Sequence, residues 1–201
     1  MRTYLLAFSA FLLSLVALSG CSEPVAAPTK FQNWTPSEST FHVQYPDGWK
    51  ADGGGKNGVQ WAEFKKGNCM IDLKTDVSSS LIGDIAGSGG TALSGGEPLS
   101  PELEEELAPV AVVHEMKLKE LPGDYKSYKE EKAEKFSSTL GEGRKSPFKA
   151  TVGVGRKIRG YRATVLAQDR GVTIFCYCPE KDWSKIQPAF DTVLNSLSQG
   201  Y

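Results

Sequence analysis

The 201-residue chain carries 23 Lys plus Arg against 24 Asp plus Glu, a net charge of −1, with 40% hydrophobic residues. Such a balance excludes the basic excess with which nucleic-acid binders displace counterions. Its length accommodates one domain with a real buried core once any leader is set aside.

Met1-Arg2-Thr3 supplies one positive charge, and Tyr4 to Leu18 is an uncharged run of mostly Leu, Ala, Phe and Val, the pattern of a signal peptide. The run closes in Leu18-Ser19-Gly20-Cys21, which resembles the lipobox of bacterial lipoproteins: cleavage falls between Gly20 and Cys21, and the Cys21 thiol takes the lipid. About 18 uncharged residues nearly reach the roughly 20 needed to span a bilayer. A spanning helix, however, has no need of a thiol where the apolar run meets a polar, Pro-containing stretch. Two or three acyl chains, palmitate among them, would hold the mature protein on a membrane essentially permanently. Ser22, where an Asp would retain the protein, favours an outer over an inner membrane if the cell has two. The expected location is therefore the cell envelope, outside the cytoplasm and facing the periplasm.

Past residue 20 the chain holds 22 bases and 24 acids. Residues 21–39, rich in Ala, Pro, Ser and Thr, read as a lipidated N-terminus and flexible tether, leaving 40–201 as a single domain. Phe41, Val43 and Tyr45 alternate with His42 and Gln44 before Pro46-Asp47-Gly48, predicting a strand and a turn after which Trp49 packs back. Val59 to Phe64 and Cys69 to Leu73 read as a hairpin. Residues 83–98 form a Gly-rich loop. Ser100 then caps a helix with Pro101 at its first position and Glu102, Glu104, Glu105 and Glu106 near its positive end. Leu103, Leu107, Val110, His114 and Leu118 recur at helical spacing, and Pro109 should kink or divide the helix.

Phe148 to Val154, Ile158 to Ala167 and Val172 to Cys178 read as an antiparallel meander, turning between the last two at Gln168-Asp169-Arg170-Gly171. Ile186, Phe190, Val193, Leu194 and Leu197 fall on one face of a final amphipathic helix that should lie across the sheet.

Cys69, Cys176 and Cys178 remain besides the anchor and allow at most one internal disulfide. Cys176 and Cys178 sit two apart on one strand face with parallel side chains, so they pair poorly with each other. Cys69 with either of them would close a loop of over 100 residues, worth up to about 4.7 kcal/mol in the chain-entropy model. The alternative is that all three are small buried hydrophobes. Cys-Tyr-Cys lacks the spacing of a zinc knuckle, so no metal and no other cofactor is implied.

The segments Phe41-His42-Val43-Gln44-Tyr45-Pro46-Asp47-Gly48-Trp49 and Phe190-Asp191-Thr192-Val193-Leu194-Asn195-Ser196-Leu197 resemble the two ends of PsbP-like domains, over roughly residues 38 to 198. Leu81 to Lys145 carries no such resemblance. The superfamily also holds a Ran-binding nuclear import factor. The resemblance implies an α+β fold, an antiparallel β-sheet flanked by helices in an α/β/α sandwich. It also implies a non-enzymatic accessory role, and no metal-binding or partner-binding residue carries over.

Catalytic motifs mostly fail. His114-Glu115 begins a zinc-binding His-Glu-x-x-His pattern, but position 118 is Leu. Gly141-Glu142-Gly143-Arg144-Lys145-Ser146 has the wrong glycine spacing for a phosphate loop. A hydrolase would have to draw its base from His42, on the polar side of its strand, or from His114. Charge is polarised: Gly143 to Gln168 holds seven bases and no acid. Arg156, Lys157, Arg159 and Arg162 in that stretch form a candidate surface for anionic lipid or an acidic envelope partner. Two functions follow. One is a membrane-anchored, non-enzymatic binding or accessory module of the envelope. The other is an envelope hydrolase or thiol-redox protein using an unrecognised site, with Cys176 and Cys178 as its reactive groups.

Overall fold

The computed structural model describes residues 25–36, 39–56, 59–76, 100–118, 125–167 and 170–200. The expected signal segment, Cys21, the expected Gly-rich loop at 83–98, and Gln168 and Asp169 of the expected turn lie outside them. The fold is α+β. Its strands are β1 (Phe31–Trp34), β2 (Phe41–Pro46), β3 (Lys50–Lys56), β4 (Val59–Lys66), β5 (Cys69–Asp76), β6 (Lys126–Glu130), β7 (Glu134–Ser137), β8 (Glu142–Val152), β9 (Arg156–Leu166), β10 (Gly171–Pro179) and β11 (Ser198–Gln199). Helices α1 (Pro101–Leu107), α2 (Pro109–Lys117) and α3 (Trp183–Asn195) accompany them.

The main sheet runs β3-β4-β5-β10-β9-β8-β6, with β7 pairing on β8, and every pairing in it is antiparallel. A second, three-stranded sheet has the order β1-β2-β11. Side-chain alternation gives the main sheet two chemically different faces. One carries Ala62, Phe64, Cys69, Ile71, Leu73, Tyr161, Ala163, Val165, Val172, Ile174, Cys176 and Cys178 in a single apolar core. Helix α3 closes it with Ile186, Phe190, Val193 and Leu194, and β2 adds Phe41 and Val43. Burying each such side chain contributes about 1.5–3 kcal/mol. On the opposite face α2 lies over β8 and β9 with α1 packed against α2, completing a helix–sheet–helix sandwich.

Local chemistry explains most boundaries. Ser100 Oγ accepts from Leu103 N at 3.3 Å, capping α1. Pro109 divides the helix: Ala108 turns to φ −54, ψ 133, and Pro109 restarts α2 at a position where no N–H is needed. Trp49 is buried, as the turn after Pro46 implies.

Three departures from the sequence reading have physical causes. Part of the expected tether is built in: Val25 belongs to the core, and Phe31–Trp34 pairs with β2 while Trp34 stacks on Phe41 at 5.2 Å. Two aromatics within a Pro- and Ala-rich stretch suffice to fasten it. Strand β3 has the sequence Lys-Ala-Asp-Gly-Gly-Gly-Lys, with no apolar alternation to mark it; a Cβ at Gly53 would sit 2.7 Å from the Trp34 ring that covers it. Strand β8 begins at Glu142 instead of Phe148, so Glu142 to Ser146 of the loop-like motif lie in a strand. Gly143 is the site of a ring contact, since a Cβ there would meet Phe136 at 2.4 Å.

Candidate functional site

The face under α1 and α2 holds a buried polar seam. His114, wholly buried on α2, spans two strands: Nδ1 lies 3.0 Å from Thr164 Oγ1 on β9 and Nε2 2.9 Å from Ser146 Oγ on β8. A neutral imidazole satisfies both, donating from one nitrogen and accepting at the other. Burial above all, then the Arg162 and Arg144 guanidiniums, pushes its pKa down to about 3. The Ser146–His114 contact has the distance of a hydrolase pair, but a group of that basicity takes no proton at neutral pH. Its second partner is a hydroxyl where a triad has a carboxylate.

Arg162 belongs to this seam and not to a docking surface. It is 1% exposed, and its fork grips Glu130 through Nε–Oε1 at 2.5 Å and Nη2–Oε2 at 2.9 Å, while Nη1 donates to the His114 carbonyl. Its position on β9 alternates inward on this face, so a count of bases misassigns it. Arg144, also buried, donates to Glu142 Oε1 at 2.8 Å, and its Nη2 sits 2.8 Å from Glu105 Oε1 as an ion pair without hydrogen-bond alignment. These contacts tie α1 and α2 to the sheet. Beside them Tyr125, Tyr128, Phe148, Phe175 and Tyr177 form an aromatic cluster, with Phe148 stacked on Phe175 at 4.7 Å.

The other named bases gather at one end of the main sheet. Arg159 pairs with Lys149, which pairs with Lys129, and one step outward Lys157 pairs with Thr151 and Thr151 with Lys126. On the far side of the same end, Lys50 pairs with Lys65, and Lys66 ends β4. The β8–β9 hairpin projects beyond them: Gly153 and Gly155 take φ of 53° and 75°, and Val154 between them is fully exposed. Left-handed backbone at both positions suits glycine and makes the tight tip. Some charges are matched: Lys149 lies 3.4 Å from Glu180 and Arg159 4.0 Å from Glu131. Arg159 also stacks over the Trp183 ring at 4.9 Å, and Arg156 donates to Asn68.

The N-terminal segment meets the domain at this end. Asp47 N donates to the Lys30 carbonyl at 2.9 Å, and the adjoining Gly48 lies against Lys66, whose Nζ would be 3.4 Å from a Cβ there. Lys50 of β3 and Lys65 and Lys66 of β4, absent from the sequence reading, are brought in by this register; only the pairing reveals that they share an end of the sheet with the others.

Cys69, Cys176 and Cys178 are buried free thiols of the core. Burial pushes the Cys176 thiol up to about 12, opposite to what a reactive cysteine needs. His42 is half-buried. Among the described residues no group of three His, Cys, Asp or Glu could hold a metal, and no helix is long and apolar enough to cross a membrane.

No family model and no curated protein matches the chain. Among solved structures it is similar to the cyanobacterial PsbP, CyanoP, of Synechocystis sp. PCC 6803, at 15% identity and a TM-score of 0.48, covering 92% of this chain and 98% of that one. It is also similar to LpqN, involved in cell envelope biogenesis in Mycobacterium tuberculosis, at 11% identity and a TM-score of 0.39, covering 85% and 92%. A protein of unknown function from Pseudomonas aeruginosa matches at 13% identity and a TM-score of 0.39, covering 82% and 94%.

Proposed function

We propose that this chain is a lipid-anchored, non-enzymatic accessory module of the cell envelope, held by acylated Cys21 with the basic end of its main sheet against an anionic bilayer. The observation that carries the reading is the junction of the N-terminal segment with the domain at that basic end, where Lys30 meets Asp47 beside Lys66, while Val25 packs in the core. Lys30, the residue that meets this end, is nine residues beyond Cys21, a reach of at most about 32 Å. A lipidated Cys21 therefore tethers the basic end near enough to meet the headgroups, where each Lys or Arg at the surface contributes about 1 kcal/mol toward anionic lipid. The exposed tip at Val154 fits the same orientation, since an apolar side chain between basic shoulders suits the interface.

Fractionation tests the anchor. Wild type should partition with membranes after a high-salt wash and incorporate labelled palmitate, whereas Cys21→Ser should do neither. A Cys21→Ser protein that stays in the salt-washed membrane fraction would overturn the reading.

A further inference from the structure

Of the three core thiols, two face each other. The β5–β10 ladder sets Cys176 opposite Ile71 and Tyr177 opposite Met70, so the next step brings Cys178 opposite Cys69. Both side chains point into the same apolar core, and the Cys69 side chain hydrogen-bonds that of Cys178. Directly opposed residues of antiparallel strands have Cα atoms about 4.5 or 5.5 Å apart, and both spacings fall within the roughly 4.4–6.8 Å of disulfides. Cys176 is committed elsewhere: its thiol lies 3.7 Å from the Tyr161 carbonyl of β9 and faces Ile71 across the ladder.

We infer that Cys69 and Cys178 form a cross-strand disulfide in the exported protein, with Cys176 remaining a thiol. The bond forms by exchange with an external disulfide, of an oxidoreductase or of oxidised glutathione. One thiolate attacks the donor disulfide to give a mixed disulfide, and the second displaces the donor. Two thiols lose two electrons and two protons while the donor is reduced to two thiols. This happens as the chain folds, because the finished core closes over both sulfurs and raises the pKa of the Cys178 thiol. The cross-link closes a loop of roughly 110 residues at the seam between β5 and the C-terminal meander, and so restrains the unfolded chain.

Folding of denatured, reduced mature chain in a glutathione redox buffer, followed by acid quench, alkylation and peptide mapping without reductant, tests the inference independently of membrane attachment. The expected product is a single Cys69–Cys178 linked peptide with Cys176 alkylated. Cys176→Ala should form the same link, and the oxidised protein should melt about 10 °C above its reduced form. Three alkylated thiols, or a link through Cys176, would overturn it. Mapping the native protein from the envelope separates this claim from the anchor. Membrane-bound protein with three free thiols contradicts the disulfide and leaves the anchor standing.

Discussion

His114 shows how far one side chain can be read without its neighbours. Its helical spacing with Val110 announces an inward position, and α2 does bury both residues. The sequence gives no sign that Ser146 and Thr164, on two strands far along the chain, will receive the ring, because hydroxyl residues in strands carry no pattern of their own. The burial has a consequence for pH. The folded pKa of about 3 lies below the ordinary value of 6.5, so the folded state binds fewer protons than the unfolded chain between those limits. The contribution of neutral His114 is complete above about pH 6.5 and is lost as the pH falls toward 3. Between pH 7 and pH 4 that amounts to about 3 kcal/mol. Urea unfolding at the two pH values should show wild type losing about this much more than His114→Gln, which keeps a donor and an acceptor but cannot titrate. Equal losses would mean that His114 is protonated in the folded state. Arg162 carries a parallel lesson. Counted as a base it marks a surface, whereas strand alternation turns it inward to Glu130.

At the scale of elements, legibility followed hydrophobic patterning. The C-terminal meander, the amphipathic α3 and the Pro109 break are written in alternation, helical spacing and backbone chemistry that act locally. Strands β3, β6 and β7 and the first third of β8 are rich in Gly, Lys and Glu, and they exist because a neighbouring strand offers its edge. Such pairing is tertiary and leaves little trace in the segment itself. At Gly53, Gly143 and Gly160 the strand glycines make room for a neighbour and not a turn. At Gly160 on β9 an added Cβ would lie 2.0 Å from the Cys176 carbonyl and 2.8 Å from the Phe148 ring. Gly160→Ala must therefore push apart β9 and β10 or displace the aromatic stack. Thermal or urea unfolding should report a loss of about 3 kcal/mol, the upper range for overpacking. A neutral outcome would show that the aromatic cluster is loosely packed.

For the whole molecule, the arrangement of charge matters more than its total. The sum is almost zero, yet the antiparallel register gathers Lys65, Lys66, Lys126, Lys129, Lys149, Arg156 and Lys157 at one end and leads the N-terminal segment to the same place. The run of bases from residue 144 to residue 162 was visible in the chain, but its division between a buried seam and an exposed rim was not. Nor was its continuation by the lysines of β4, because both depend on which strands adjoin. On the proposed reading, an anchor at Cys21 that enters the domain beside this basic rim orients the tethered domain. The most direct measurement is fluorescence quenching of the lipidated protein in vesicles containing phosphatidylglycerol, with a nitroxide on the lipid headgroups and a fluorophore placed at either Val154→Cys or Ser137→Cys. Ser137 is exposed and pairs with Glu142 at the opposite end of β8. Strong quenching at position 154 and weak quenching at 137, a contrast abolished by Arg156→Glu with Lys157→Glu, is the predicted result. Equal quenching at the two positions would contradict the orientation.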